Sequence, residues 1–413
     1  MKRLVSSGVS VFLIAAFSIG TFGFAFAEAE DPTISHRKIV VFKDGVSDAE
    51  KARIVANARA SRVKWLRNDN LLVVNADLAA EVRLAKNAKV ARVEDDIVVE
   101  ALDLLETLGS KKPGTSTPTQ VMPWGIDRID ADHVWELGES GNGVRIGVID
   151  TGISATHPDL VGNIKGGVSE VNYTSYWNDD NGHGSHVAGI VAATNNTIGV
   201  VGGAPSAHMY AIKVLDRRGS GYLSDVINGI DWAITNNMQV INMSLGTDAN
   251  VQSLHDAVIR AYKAGIVVVA AAGNNGSSVS YPAAYPETIA VAATDFLDTA
   301  PYWSSQGPEV SLAAPGVSIY STYKGTKYAY MSGTSMAAPH VAAAAALVRD
   351  RQTDTAFDGD GACVSVYDIN CNGAWDPNEV KIKLQDTSVD LGAIGRDDVY
   401  GYGLVDAFAA FTQ

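Results

Sequence analysis

Apolar residues form a regular pattern from about residue 120 to the C-terminal end of this 413-residue sequence. Nearly continuous apolar runs alternate there with stretches of helical periodicity. Such runs are typical of parallel strands that helices bury on both faces. The pattern therefore predicts an α/β fold with three layers, a parallel sheet flanked by helices. The predicted strands are residues 144–149, 209–214, 240–243, 266–272 and 289–293.

Residues 28–102 predict a smaller module in front of that sheet. Short apolar runs such as 39–42 and 71–74 alternate with helix-like stretches such as 49–60, which indicates a small α+β domain. Residues 103–118 lack periodicity and are rich in Gly, Pro, Ser and Thr, so we expect an exposed linker that proteases can cut. The larger domain is then 119–413.

The first 27 residues have the three parts of an export signal. Lys2 and Arg3 precede an apolar run at 9–24, and the small residues Ala25 and Ala27 follow it. We expect cleavage after Ala27 and a secreted, extracellular product with no membrane association. The alternative is a membrane anchor, but the run is short for a bilayer span.

Charge and cysteine content narrow the class of protein. The net charge of −14 and the lack of a basic stripe in the sequence argue against a nucleic-acid partner, because such binding depends on clustered lysine and arginine. The two cysteines, Cys363 and Cys371, are close in sequence, and an exported chain meets oxidising conditions. We therefore expect one local disulfide bond.

Three segments offer the side chains that activate a serine hydroxyl. Serine becomes a strong nucleophile when a base removes its proton, and the base works best when a buried carboxylate orients it. Asp150 follows a predicted strand, while His183 and Ser335 each open a predicted helix. Singly, they could be a turn former, a loop histidine and a helix cap. His186 could suggest a zinc pair with His183, but the sequence has no His-Glu-x-x-His motif.

Taken together, residues 150–152, 183–189 and 333–340 resemble the three active-site motifs of the subtilase family, in its order Asp, His, Ser. The resemblance covers residues 120–348 and 400–404, with Ser185 where threonine is usual and Ala343 where glycine is usual. It implies a monomeric, subtilisin-type serine endopeptidase that acts on polypeptides. It also implies that residues 28–102 are a propeptide, which assists folding, inhibits the enzyme and is removed by self-cleavage in the linker.

The same resemblance implies an oxyanion hole and a substrate cleft. Residues 272–274 match the segment whose side-chain donor would be Asn274, acting beside the Ser335 backbone N–H. An extended peptide would pair as a strand with two chain segments. The implied substrate-binding residues are Gly219, Ser220, Gly221, Ser244, Leu245, Gly246, Ala271, Gly273 and Ser280. None is acidic, so we expect broad specificity with a preference for large apolar or aromatic residues before the cut (P1). For Ser280 an ordinary turn is the alternative.

Residues 194–200 resemble the high-affinity calcium loop of subtilases. Calcium takes six to eight oxygen ligands. The side chains would be those of Gln120, Asp159 and Asn196, and the backbone carbonyls those of Thr194, Ile198 and Val200. The alternative is an ordinary polar turn.

A second calcium-binding pattern has no counterpart in the family motifs. Residues 368–379 fit the EF-hand loop pattern D-x-[DN]-x-[DN]-G-x5-E, within an apparent insertion at about 354–379. The ligands would be Asp368, Asn370, Asn372, the Ala374 carbonyl, Asp376 and Glu379. An acidic loop without metal is the alternative. Asp354, Asp358 and Asp360 could form a third cation site. Dockerin modules use similar loops in tandem to bind partners, but only one clear copy is present.

Two other functions compete with a broad endopeptidase. An inactive subtilase scaffold that only binds partners is disfavoured because Asp150, His183, Ser335 and Asn274 are all present. A dedicated precursor-processing protease would need acidic residues along the cleft for basic substrates, and only Asp216 and Asp225 are near the predicted cleft segments.

Overall fold

The computed structural model describes residues 36–68, 70–102, 119–351, 360 and 366–413. The predicted signal peptide and linker lie outside the described residues, as do Asp354, Asp358 and Cys363. The export signal, the third cation site and the disulfide bond therefore stay predictions. Within the part of the chain that the structure describes, no helix is long and apolar enough to cross a lipid bilayer.

The N-terminal module, residues 36–102, contains an antiparallel sheet with strand order β2-β3-β1-β4. Its elements are β1 (Arg37–Phe42), α1 (Asp48–Asn57), β2 (Ser61–Trp65), β3 (Leu71–Asn75), α2 (Leu78–Ala85) and β4 (Val90–Asp95), followed by β5 (Val98–Ala101). The side chains of Ser47 and Asp77 cap the two helices by accepting backbone N–H bonds.

Both faces of this small sheet are buried, which explains its continuous apolar runs. Val40 and Leu72 pack in a cluster with the residues of α1 and α2. Ile39 and Val73 point the other way, since alternate residues of a strand face opposite sides, and pack in a cluster with residues of the larger region. The N-terminal module is therefore docked through its sheet.

The central sheet has seven parallel strands in the order β14-β13-β12-β10-β6-β8-β7. They are β6 (Arg145–Asp150), β7 (Ile164–Ser169), β8 (His208–Lys213), β10 (Val240–Met243), β12 (Val267–Ala271), β13 (Thr288–Thr294) and β14 (Val310–Pro315). In β12, Val267 and Val269 join one apolar cluster, whereas Val268 and Ala270 join the other. Burial on both faces confirms the predicted three-layer α/β fold.

Helices cover both faces of the sheet. They are α3 (Trp124–Arg128), α4 (Ala131–Glu136), α5 (His183–Ala192), α6 (Leu223–Thr235), α7 (Gln252–Lys263), α8 (Thr334–Asp350), α9 (Pro377–Asp386) and α10 (Ala407–Thr412). Residues of α5 and α8 belong to one apolar cluster, and residues of α6 and α7 to the other. Buried alanines at 342–346 let α8 pack closely on the sheet.

Three short strands and a hairpin complete the described elements. The order β11 (Leu245–Gly246), β5, β9 (Ser220–Tyr222) forms a small antiparallel sheet. The hairpin of β15 (Ile319–Tyr323) and β16 (Lys327–Met331) packs against α5. The small sheet joins the N-terminal module to the region where several central strands end.

Candidate active site

Asp150 and His183 form a buried pair at the carboxyl end of β6. Asp150 is the last residue of β6, and His183 is the first residue of α5. The Nδ1 atom of His183 lies 2.8 and 2.9 Å from the two carboxylate oxygens of Asp150. The backbone N–H of Thr151 donates to the same carboxylate at 2.6 Å. This geometry fixes the imidazole ring and directs its other nitrogen, Nε2, away from Asp150.

Ser335 lies at the start of α8, where the first backbone N–H groups have no partner within the helix. Its hydroxyl donates to the carbonyl of Ser244 at 3.0 Å, and Ser244 Oγ donates to the carbonyl of Ser335 at 2.8 Å. These reciprocal bonds hold Ser335 against the segment that follows β10. The positive end of the helix dipole lies at the same place.

Asn274 has an amide orientation that its neighbours determine. Its oxygen accepts from the backbone N–H and the hydroxyl of Thr334, each at 2.9 Å. Its Nδ2 atom is thereby turned to the carbonyl oxygen of Leu102, to which it donates at 2.7 Å. The Ser335 backbone N–H points to the same oxygen at 3.4 Å. One backbone carbonyl thus lies between the two donors of the predicted oxyanion hole.

Strand β5 of the N-terminal module occupies the predicted substrate cleft. It pairs antiparallel with β9 on one side and with β11 on the other. The N–H of Ala101 donates to the carbonyl of Gly219 at 2.9 Å, and that of Leu102 to the carbonyl of Ser244 at 3.3 Å. The structure therefore brings residues 219–221 and 244–246 together as the two edges of the cleft. No pattern in the sequence indicated that residues 98–102 fill it.

The side chain of Leu102 lies among the residues predicted for the P1 pocket. A Cβ atom added to Gly246 would come within 2.9 Å of Leu102 Cδ1 and 3.1 Å of Ser280 Cβ. A Cβ added to Gly273 would come within 2.8 Å of Ser280 Oγ. Ala271 is fully buried in the apolar cluster against which Leu102 packs. The pocket therefore needs glycine at two places, and Ser280 lies within it.

The residues predicted for the first calcium site converge on Asp159. The Gln120 side-chain amide lies 3.0 Å from the Thr194 carbonyl oxygen and 3.3 Å from that of Val200. The Asn196 amide lies 3.0 Å from the Asp159 carboxylate. A Cβ at Gly199, whose φ is +60°, would come within 2.0 Å of that carboxylate. Ile198 donates its backbone N–H to Asn196 Oδ1 at 2.7 Å and forms an isolated bridge with Thr119.

The EF-hand-like loop closes on two buried carboxylates, Asp368 and Glu379. Asp368 accepts from the N–H groups of Asn372 and Gly373, both at 3.1 Å. Glu379 accepts from the N–H groups of Ile369 and Asp376, at 2.9 and 2.8 Å. The side chains of Asn370 and Asn372 both contact Asp376, and the Ala374 N–H donates to Asn372.

The acidic side chains of the two loops are not gathered around one point. Across residues 36–68, 70–102, 119–351, 360 and 366–413, no group of three or more His, Cys, Asp or Glu side chains is arranged to hold a metal ion. The first loop offers amide and carbonyl oxygens around the single carboxylate of Asp159, and the second offers the carboxylates of Asp368, Asp376 and Glu379 beside two amides; calcium accepts all of these oxygens.

Asp179 is a buried residue of the site that the sequence analysis missed. It lies four residues before His183 and accepts five hydrogen bonds from residues on both sides of that histidine and from Thr151. An aspartate in a loop is common, so its position in the sequence carries no distinguishing signal. Lys213, the last residue of β8, was also missed; its buried ammonium group binds Asp180 and two backbone carbonyls.

Comparison with known proteins shows the family to which the chain belongs. Residues 141–403 match the subtilase family. The chain is 39% identical to Subtilisin E of Bacillus subtilis (strain 168) over 394 residues, 93% of each chain. It is 46% identical to a thermostable alkaline protease of Halalkalibacterium halodurans over 298 residues, 72% of this chain and 75% of that protein.

A third relative is longer than this chain. The minor extracellular protease Epr of Bacillus subtilis (strain 168) is 40% identical over 348 residues, which are 83% of this chain but 50% of Epr, so the match spans about half the length of Epr. The chain belongs to the subtilase family and is a serine endopeptidase of the subtilisin type.

Proposed function

We propose that this protein is a secreted endopeptidase, made as an inhibited precursor, that cuts its own chain between Leu102 and Asp103. The single observation that carries the proposal is the position of the Leu102 carbonyl oxygen, 2.7 Å from Asn274 Nδ2 and 3.4 Å from the Ser335 N–H. Donors in this arrangement stabilise the oxyanion that develops when a peptide carbonyl is attacked.

The reaction uses Asp150, His183 and Ser335 in the roles of a serine-protease triad. The Ser335 hydroxyl turns from the Ser244 carbonyl towards His183 Nε2, which takes its proton as Oγ attacks the Leu102 carbonyl carbon. His183 then gives the proton to the amide nitrogen of Asp103 as the C–N bond breaks. Water, activated by the same histidine, releases the acyl group from Ser335. Asp150 holds the required tautomer and balances the imidazolium charge.

Substrate preference is inferred from the segment that already lies in the cleft. Leu102 fills the P1 pocket, and Val99, three residues earlier, is 1% exposed in an apolar cluster. Between them, the side chain of Glu100 is exposed. Full burial of an aliphatic side chain such as Val99 stabilises binding by about 1.5–3 kcal/mol, and partly buried Leu102 contributes a share of that range. These two positions are therefore the main determinants of specificity. We expect apolar P1 residues of leucine size or larger, an apolar residue three positions earlier, and tolerance between them.

The N-terminal module acts as propeptide and inhibitor in this scheme. Its strand β5 fills both sides of the cleft with backbone hydrogen bonds, so a substrate cannot pair there until the module leaves. Its sheet also buries apolar residues against the larger region, which supports a role as folding template. Nothing in this scheme requires a second copy of the chain or a nucleic acid, and the active form is proposed to be a monomer.

Calcium binding at residues 194–200 is supported by the way the amides of Gln120 and Asn196 already bridge oxygen atoms there. An amide oxygen and nitrogen are interchangeable by rotation, so both amides can turn oxygen towards a cation. Asp159 would supply the charge, and Thr194, Ile198 and Val200 the carbonyls. Calcium bound there would supply electrostatic cross-linking of the loop to Gln120 and Asp159.

The EF-hand-like loop is proposed as a second, stabilising calcium site. Its support is the match of all the required residue types, combined with the burial of Asp368 and Glu379 at the two ends of the loop. Trp375 within the loop packs into the apolar cluster of α8, and Arg349 of α8 donates to the Trp375 carbonyl at 2.6 Å. An ion bound in this loop would therefore stabilise the far end of α8, the helix that carries Ser335 in its first turn.

The decisive experiment follows the size of the precursor. Secreted wild type should yield a product whose first residue is Asp103 by mass spectrometry, and it should hydrolyse a peptide with leucine at P1. Ser335→Ala should remain uncut and inactive. Leu102→Asp should block cleavage at this bond, whereas Leu102→Phe should permit it, and Leu108→Asp in the linker is the matched control that should leave the cut in place.

Two results would overturn the proposal. One is cleavage of the Ser335→Ala precursor at the same bond and rate as wild type. The other is a folded wild type that neither hydrolyses peptide nor reacts with a serine-directed fluorophosphonate.

A further inference from the structure

Asp179 is a buried carboxylate beside the proposed triad. Its residue is 4% exposed, and its side chain accepts hydrogen bonds from four residues. Among the residues that the structure describes, no lysine, arginine or histidine pairs with it within 4.0 Å. Burial raises the pKa of the Asp179 carboxyl, whereas the hydrogen bonds from Ser185, Asn181 and Gly182 favour its charged form. An acid kept here therefore needs a reason in the contacts that it makes.

One contact connects Asp179 to Asp150. The hydroxyl of Thr151 donates to Asp179 Oδ1 at 3.0 Å and accepts from the Gly184 N–H at 2.9 Å. The N–H of the same Thr151 donates to Asp150 at 2.6 Å. The Thr151 side chain therefore joins the end of β6, which carries Asp150, to the residue that follows His183.

The other contacts hold the chain on both sides of His183. Before it, the N–H groups of Asn181 and Gly182 donate to Asp179 Oδ1, both at 2.9 Å. After it, the N–H and the hydroxyl of Ser185 donate to Oδ2 at 3.0 and 2.6 Å. Because α5 begins at His183, these early N–H groups lack helical partners, and a carboxylate is the group best suited to satisfy them.

We infer that Asp179 is a positioning residue for the proposed triad. Asp179 fixes His183 against Asp150, and its negative charge favours the imidazolium form of His183. The inference rests on the proposed function of Asp150, His183 and Ser335. A plain structural cap of α5 would stabilise the fold but would leave the titration of His183 unchanged.

Other charged groups near His183 also act on its imidazole ring. Asp150 contacts the ring directly. The Lys213 ammonium lies 2.6 Å from the Thr151 carbonyl oxygen but is paired with Asp180. His186, one turn further along α5, is buried, which lowers its pKa to about 3, so it stays neutral over the relevant range. A change at Asp179 alters none of these groups. A shift in the acidic limb of the pH profile of kcat/KM can therefore be assigned to Asp179.

The test compares wild type with Asp179→Asn in the full chain. We expect self-cleavage to slow by about 10²-fold, within the range for mispositioned catalytic groups. On processed enzyme normalised by fluorophosphonate titration, kcat should fall while KM for a leucine-P1 peptide changes little. The acidic limb of kcat/KM should move to lower pH, since a neighbouring carboxylate that favours the imidazolium is removed.

Matched variants separate positioning from simple loss of stability. Thr151→Val should lower kcat without moving the acidic limb, and Thr151→Ser, which keeps the hydroxyl, should restore it. Asp231→Asn removes another buried carboxylate, one on α6 that pairs with Arg260 of α7. It should lower the melting temperature without moving the acidic limb. Melting temperatures are compared in precursors that carry Ser335→Ala, where cleavage cannot intervene.

The outcomes are distinct. An Asp179→Asn enzyme with wild-type kcat and an unmoved acidic limb overturns the inference while leaving the proposed function intact. The same holds if the limb moves equally in Asp231→Asn. If instead Ser335→Ala precursor is cut like wild type, it is the proposed function that fails.

Discussion

Salt should accelerate release of the cleaved N-terminal module, because ion pairs between cations of the module and anions of the larger domain hold it in place. Lys64 pairs with Asp225, Arg67 with Glu170 and Arg92 with Asp256, and in each pair the cation belongs to the module. The composition has the same asymmetry. Residues 36–102 contain 13 Lys and Arg against 10 Asp and Glu, whereas residues 119–413 contain 15 against 31.

The size of the effect follows from the exposure of these pairs. The acidic side chains of Asp225 and Glu170 are 9% and 10% exposed, so they are screened less than surface groups, while Asp256 is 37% exposed. Exposed ion pairs contribute about 0.2–1 kcal/mol each, and we take values near the upper end for the two buried acids. The three together then contribute about 2 kcal/mol, or roughly 30-fold in dissociation.

The assay measures the lag between completed self-cleavage, followed on a gel, and the onset of peptide hydrolysis. Raising salt from 0.1 M to 1 M shortens the Debye length from about 10 Å to about 3 Å and should shorten this lag about tenfold. At low salt, Lys64→Ala should shorten it about three- to fivefold. Lys43→Ala, an exposed lysine of the same module that makes none of these pairs, is the control. A lag independent of salt, or an equal effect of both variants, refutes the electrostatic account.

Three further predictions concern the site and its supports. Asn274→Ala should lower kcat by about 10²–10³-fold with little change in KM, the loss known for this type of donor in subtilisin, as measured on titrated enzyme. Asp368→Ala combined with Glu379→Ala should lower the melting temperature in calcium and leave peptide turnover nearly unchanged; an equal loss of activity at low temperature contradicts a purely stabilising role. Burial lowers the pKa of His340 to about 4, below its value of about 6.5 in an unfolded chain, so the unfolded state binds the extra proton between these values. The urea midpoint of Ser335→Ala precursor should therefore fall as pH drops from 6.5 towards 4, and His340→Gln should reduce that slope.

The sequence predicted the fold class because burial on both faces leaves a local trace. Continuous apolar runs at 240–243 and 289–293 correspond to β10 and β13. Strands β7 and β14, at the two edges of the sheet, both escaped prediction. The sequence of β7, Ile-Lys-Gly-Gly-Val-Ser, is only partly buried and has little apolar periodicity, and that of β14, Val-Ser-Leu-Ala-Ala-Pro, is buried but contains serine and proline. The local sequence pattern predicts a strand well where the whole strand is apolar and buried, and poorly where polar residues interrupt it.

The sequence alone determined which residue types could do the chemistry, since motif spacing around Asp150, His183 and Ser335 is carried by neighbours along the chain. Only the tertiary structure decided which other groups contact these residues. The placement of the Leu102 carbonyl against Asn274, 172 residues away, depends on how β5 enters the cleft. The same is true of Asp179, whose importance lies in bonds to Thr151 across the fold. Long-range contacts of this kind leave no periodicity in one sequence, because neither partner's local surroundings specify the other.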